Sequence, residues 1–206
     1  MRIEGWKITG AIFVATAAMI VATISWLGFN EAAIRLLVRN TARISVTLFL
    51  LAFTASSLQY FFRAQWSRYL LKNRRYIGVS FAMEHTVHFL CLVVLFVWFP
   101  DPFRAALLPV TLIGGGLAYV FIALMTLRSF DRTAAMIGPR AWRALHTVGA
   151  YYIWVLFAQS YFPRAWKDVW YIPFAAMLVG GLMLRIAAAL ARRSRAQLTD
   201  AVAERA

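Results

Sequence analysis

The chain has 206 residues, 62% hydrophobic and 15% charged, with a net charge of +14. A soluble domain averages about 45–50% apolar and about 25% charged residues, so this composition excludes one and leaves a polytopic helical membrane protein. The basic residues fall between apolar segments rather than along one soluble face, which excludes nucleic acid as a partner and makes the charge topogenic.

Six apolar segments follow one another, at about 8–27, 44–62, 76–99, 107–127, 145–162 and 171–190. Each is close to the ~20 residues a spanning helix needs. In lipid the backbone must satisfy its own hydrogen bonds, so each is predicted to be helical. The first run, after Arg2 and Lys7, lacks a small-residue cleavage pattern and reads as a retained helix rather than a signal peptide. Between the first two segments Arg35, Arg39 and Arg43 recur at helical spacing around Leu36, Leu37 and Val38. They predict a short helix lying on the outer surface, its basic face toward water and headgroups. An anion or propionate contact is the sharper alternative.

The third segment holds Glu84, His85 and His88 near its centre. An ionisable group at that depth is costly, faces the bundle interior and marks a function. His85 and His88 project within about 60° of one another, and Glu84 and His88 share a face. With His146 in the fifth segment, these imidazoles are candidate ligands for a metal or haem held between helices. A hydrogen-bonded core histidine is the plainer reading. Glu84 has three options: to accept the second ring N–H of His88, to pair with Arg185 in the sixth segment, or to keep its proton. The single cysteine, Cys91, excludes an intramolecular disulfide and a cysteine-based metal site, and reads as packing.

Gly114, Gly115 and Gly116 in the fourth segment, and Gly180 and Gly181 in the sixth, read as close helix packing. Gly78 lies two turns before His85 on its face, and Gly149 follows His146 by three. Both leave room for a flat cofactor along a helix, and packing explains them equally well. A strand–Gly-rich-turn–helix unit for a nicotinamide or flavin is missing from the sequence. The stretch 191–206 is a basic tail, read as a frayed helix end near the anionic inner leaflet.

Placing the N-terminus inside collects Arg2, Lys7, Arg63, Arg68, Lys72, Arg74, Arg75, Arg128, Arg132, Arg140, Arg143, Arg185, Arg192, Arg193, Arg195 and Arg205 on the inner side. Arg35, Arg39, Arg43, Arg104, Arg164 and Lys167 fall outside. The asymmetry predicts an all-α, six-helix integral membrane bundle with cytoplasmic N- and C-termini.

Two stretches resemble the ferric-reductase-like transmembrane domain family, and within it the haem-binding membrane subunits of bacterial periplasmic methionine sulfoxide reductase systems. They are 73–88, NRRYIGVSFAMEHTVH, and 142–152, WRALHTVGAYY. The family's paired arginine, following glycine and haem-ligating histidine fall on Arg74, Arg75, Gly78 and His88. Its Trp-Arg pair and histidine at the start of the fifth span fall on Trp142, Arg143 and His146. The resemblance covers most of the chain as a single domain. It implies a multi-pass inner-membrane protein that binds haem b and transfers electrons. The donor would be quinol or a separate flavoprotein, and the acceptor or partner protein would lie on the outer side. His88 and His146 are the first ligand candidates and His85 the substitute. Arg74, Arg75 and Arg143 would face propionates or a quinone head.

Many members carry a further histidine later in the fifth span, where this chain has Gln159, a poor haem ligand that can hydrogen-bond a propionate or quinone. The resemblance therefore implies one haem and leaves a second without its ligand. At 1.5 Å per residue, His88 lies about 18 Å above the inner end of its span and His85 about 13–14 Å, whereas His146 lies near the inner end of its own and Gln159 about 20 Å beyond it. The alternative class is a non-redox scaffold or assembly partner that kept the fold without the cofactor. A proton-coupled transporter using Glu84 and His85 ranks last, because neither an internal repeat nor paired broken helices are evident.

Overall fold

The computed structural model describes residues 3–100, 109–127 and 138–203. Arg2, Arg104, Arg128, Arg132 and Arg205 of the charge count lie outside the described residues. The described residues form helices joined by short turns, with no strand among them: α1 (Trp6–Leu27), α2 (Glu31–Phe62), α3 (Gln65–Lys72), α4 (Arg74–Trp98), α5 (Pro109–Leu127), α6 (Pro139–Ala165) and α7 (Ile172–Ala203). A single 3-10 turn, Val169–Tyr171, leads into α7. Four stretches are long and apolar enough to cross a membrane: α1, α2, α4 and the segment Val169–Ala201. Leu112–Leu127 in α5 is a shorter apolar helix.

The breaks have local causes. Gly28 adopts φ 75°, a left-handed conformation that suits glycine, and stops α1. Two residues later the Asn30 side chain accepts the Ala33 N–H at 2.9 Å and starts α2. The three-arginine stretch is therefore not a separate surface helix. It is the beginning of α2, which runs unbroken for 32 residues, about 48 Å. Arg35 pairs with Glu31 one turn back, and the Arg43 guanidinium lies over the rings of Tyr171 and Phe174. Arg63 at φ 46° ends α2, and α6 opens on Gly138 followed by Pro139, whose missing N–H costs nothing in the first turn. The tail is helical as far as Ala203.

Side-chain pairs fix the direction of each helix. Gly5 with Asn73, Thr9 with Tyr76 and Thr16 with Glu84 make α1 parallel to α4. Thr41 with His88, Ser45 with His85 and Ala52 with Arg74 make α2 antiparallel to α4. Gly114 with Tyr152 and Gly149 with Met125 oppose α5 to α6, and Tyr161 with Phe174 and Trp154 with Leu178 oppose α6 to α7. Packing is most extensive between α2 and α4, and α2 also packs on α1, α3 and α7. The core is aromatic at its centre, with the Phe49 ring 5.2–5.5 Å from those of Phe53, Phe81 and Phe157. By contrast α1 buries only Thr16 and presents Phe13, Val14, Val21 and Trp26 outward. An apolar face of that extent needs lipid or another chain against it.

Candidate functional site

α4 carries a buried Glu84 and two half-buried histidines, His85 and His88, with the carboxyl group turned to α1 and both imidazoles to α2. Glu84 is fully buried and faces α1, where its Oε2 accepts the Thr16 hydroxyl at 2.6 Å. Its Oε1 has no hydrogen-bond partner among the described residues. Arg185 and His88, the two groups weighed as companions for Glu84, bond elsewhere. The Arg185 guanidinium donates to the Phe53 carbonyl at 3.0 Å and lies over the Phe53 ring at 4.2 Å.

The histidines face α2. His88 Nδ1 lies 3.1 Å from the Val38 carbonyl and 3.2 Å from Thr41 Oγ1. A carbonyl only accepts, and the Thr41 hydroxyl donates to Leu37 at 2.8 Å, so the ring proton sits on Nδ1 and the Nε2 lone pair is left for another use. His85 Nδ1 meets Ser45 Oγ at 2.9 Å. The two imidazoles are 5.4 Å apart and inclined by only 26°. Tyr119 closes the α5 side, its ring 5.0 Å from that of His85 and its hydroxyl donating to the His85 carbonyl at 3.1 Å. Phe157 of α6 closes the remaining side at 5.8 Å.

His146 is not level with this pair. Phe157, beside His85, is roughly three turns further along α6, which puts His146 about 16 Å deeper. There the Trp142 ring covers its imidazole edge-on at 3.8 Å, and Arg143 is exposed beside it. One iron takes both axial ligands at one depth, so this arrangement does not bring His146 to the same iron as His85 or His88. Gln159 comes close to the level of His88 but lies on the exposed face of α6.

Arg74 and Arg75 open α4, at the end of the bundle where α2 closes. Arg74 Nε donates to the Ala52 carbonyl at 2.8 Å, and Arg75 is exposed. The glycines differ in kind. A Cβ on Gly149 would lie 2.7 Å from Met125 Sδ and 3.0 Å from Phe121 Cδ1, so this glycine lets α5 and α6 approach. A Cβ on Gly78 would meet nothing within 4 Å. Gly78 stands one turn below Ala82 on the face that lines a groove of about 400 Å³ between α4 and α5, bounded by Val79, Met83, Tyr119 and Thr126.

Thr16, Thr41, Ser45 and Tyr119 complete the polar cluster, and the sequence reading passed over them. Their signal was available: Thr41 and Ser45 are polar, four apart on one face, and stand where an apolar span is beginning. Among the described residues no three His, Cys, Asp or Glu side chains converge on a metal position. Comparison with known proteins finds no matching family model, curated protein or solved structure.

Proposed function

We propose that this chain is a haem b-binding electron-transfer protein of the bacterial inner membrane, of ferric-reductase type, with six spans and both termini in the cytoplasm. What supports six spans is the strict alternation of direction, with α1, α4 and α6 running one way and α2, α5 and α7 the other. What supports the orientation is the gathering of Arg63, Arg68, Lys72, Arg74, Arg75, Arg140, Arg143, Arg192, Arg193 and Arg195 at the end where α4 begins.

The observation that carries the haem reading is the hydrogen bonding of the α4 imidazoles. His88 has Nδ1 committed to a backbone carbonyl and His85 has Nδ1 on a serine hydroxyl, the arrangement that orients a histidine for coordination through Nε2. The donor set therefore fits a haem attached from α4, with His88 the first ligand and His85 its substitute. It does not fit one bridged to α6, because His146 lies too deep and Phe81, Tyr119 and Phe157 surround His85. Haem, when bound, supplies a one-electron iron couple. The chain's own part is to hold the imidazoles through Val38, Thr41 and Ser45 and to exclude water with the aromatic core. Arg74, Arg75 and Arg143 offer cations to propionates or a quinone head at the inner end. Electrons would enter there from quinol or a separate flavoprotein and leave to an outer-side acceptor.

The second reading, a scaffold or assembly partner without cofactor, is favoured by the same filled space and by the outward-facing Gln159. A reduced-minus-oxidised spectrum of protein purified from haem-replete cells separates the two. A b-type signal abolished by His88→Ala, and kept in His146→Ala, is the expected result. No porphyrin signal in the wild type refutes the haem reading and leaves the scaffold.

A further inference from the structure

α2 and α7 leave a groove between them, of about 280 Å³, walled by Thr47, Leu50, Leu51 and Thr54 on one side and Met177, Gly180, Gly181 and Leu184 on the other. It is narrow at Gly181, where a Cβ would come within 3.2 Å of Leu50, and open at Gly180, where a Cβ would meet nothing within 4 Å. The stripe of α7 that forms its wall continues down the helix onto Arg192 and Arg195, which stand within about 20° of Gly181 and Leu184 on the helical wheel. Arg192 reaches back to the Ser56 carbonyl at 3.0 Å, two residues from the groove's Thr54. The Arg192 and Arg195 guanidiniums meet over one ring, 5.1 and 5.8 Å from the centroid of Tyr60. Among the described residues the only ion pairs are Arg35 with Glu31 and Lys72 with Glu4, so neither of these two cations has a carboxylate. Each guanidinium has five N–H donors, and Arg192 commits one of them to Ser56.

An apolar furrow with two arginines about 12 Å beyond its last wall residue, Leu184, and no carboxylate paired with them among the described residues, has the chemistry of one amphiphile. We infer that the α2–α7 groove is a binding site for an anionic phospholipid, its acyl chain along the furrow past Gly180 and its phosphate on Arg192 and Arg195. The site is separate from the histidine cluster and stands whether or not haem binds. The proposed cytoplasmic placement of this end would put it in the leaflet that carries anionic lipid.

Native mass spectrometry of the full chain in detergent, titrated with phosphatidylglycerol or with phosphatidylcholine of the same acyl chains, tests it. Phosphatidylglycerol is expected to bind more tightly, and Arg192→Gln with Arg195→Gln to weaken it about 25-fold, at roughly fivefold per surface arginine. Phosphatidylcholine should respond little to that change. Gly180→Leu projects into open space and leaves the fold intact, and it should weaken both lipids. Inorganic phosphate should compete poorly, since it lacks the chain. Equal binding of the two lipids by the wild type overturns the site. So does an equal loss in the control variant Arg35→Gln with Arg39→Gln, or full affinity in Gly180→Leu.

Discussion

Gly78 and Gly149 look alike in the sequence, each in an apolar span near a histidine, and alanine should separate them. Both are helical, so both gain the same roughly 1 kcal/mol of helix propensity on going from glycine to alanine. At Gly78 nothing opposes that gain, because the new methyl meets no atom within 4 Å. At Gly149 the methyl arrives 2.7 Å from Met125 Sδ and 3.0 Å from Phe121 Cδ1. The thioether can swing aside, but the phenyl ring is stiff and already packs 5.3 Å from Tyr152. Overpacking of this kind costs about 1–3 kcal/mol. Subtracting the two variants cancels the propensity term, so Gly149→Ala should be less stable than Gly78→Ala by about 1–3 kcal/mol. The measurement is denaturant unfolding of the detergent-solubilised protein followed by helical circular dichroism. Adding Met125→Ala to Gly149→Ala should recover part of the loss as a coupling of about 0.5 kcal/mol or more. Equal stability of the two alanine variants would refute the close approach of α5 and α6. If the groove beside Gly78 admits the cofactor, Gly78→Leu lowers haem content while leaving stability near the wild type.

Thr16→Val removes the hydroxyl that reaches Glu84 and leaves a fully buried carboxyl group with no partner, a loss of about 1–3 kcal/mol by the same unfolding assay. Thr16→Ser, which keeps the hydroxyl, should lose much less. Arg185→Met takes away both the bond to the Phe53 carbonyl and the stacking on its ring, and should cost about 1–3 kcal/mol, read as a lower midpoint. Cysteines placed at Arg68 and at Lys167, both exposed, should be labelled by an impermeant maleimide from opposite sides of oriented vesicles, Arg68→Cys from the cytoplasmic side. Labelling of both from one side would overturn the six-span topology.

Hydropathy made the apolar segments legible, because a spanning helix needs only length and the absence of charge. It failed at the start of α2. Three arginines within nine residues look like the end of hydrophobic chain, yet Asn30 caps the helix before them and nothing after them breaks it. Arg43 is absorbed into the bundle by lying on Tyr171 and Phe174, a contact between residues far apart in the chain that no local pattern encodes. The same limit applies to the site. That Glu84 is buried was readable from its depth, but its partner and those of His85 and His88 were not. Glu84, weighed with Arg185, instead meets a threonine on α1, and His88 a carbonyl on α2. The depth difference between His146 and the α4 histidines could be computed from helical rise alone, since it needs no partner choice.

The organising element of the fold is α2 rather than the histidine-bearing α4. Both α4 imidazoles use α2 atoms, on Val38, Thr41 and Ser45. Three arginines from two other helices also end on it: Arg74 on Ala52, Arg185 on Phe53 and Arg192 on Ser56. Each of those backbone carbonyls has two lone pairs, and a helix uses one. The second is what a surrounding bundle can bind without unwinding the helix. One helix therefore sets the tilt of the imidazoles in one half of the bundle and holds the cations in the other. Shifting α2 by one turn against α4 would move the acceptors of His88 and Arg74 together by about 5.4 Å. The candidate ligand and the basic end of the bundle are thus fixed in register by the same backbone.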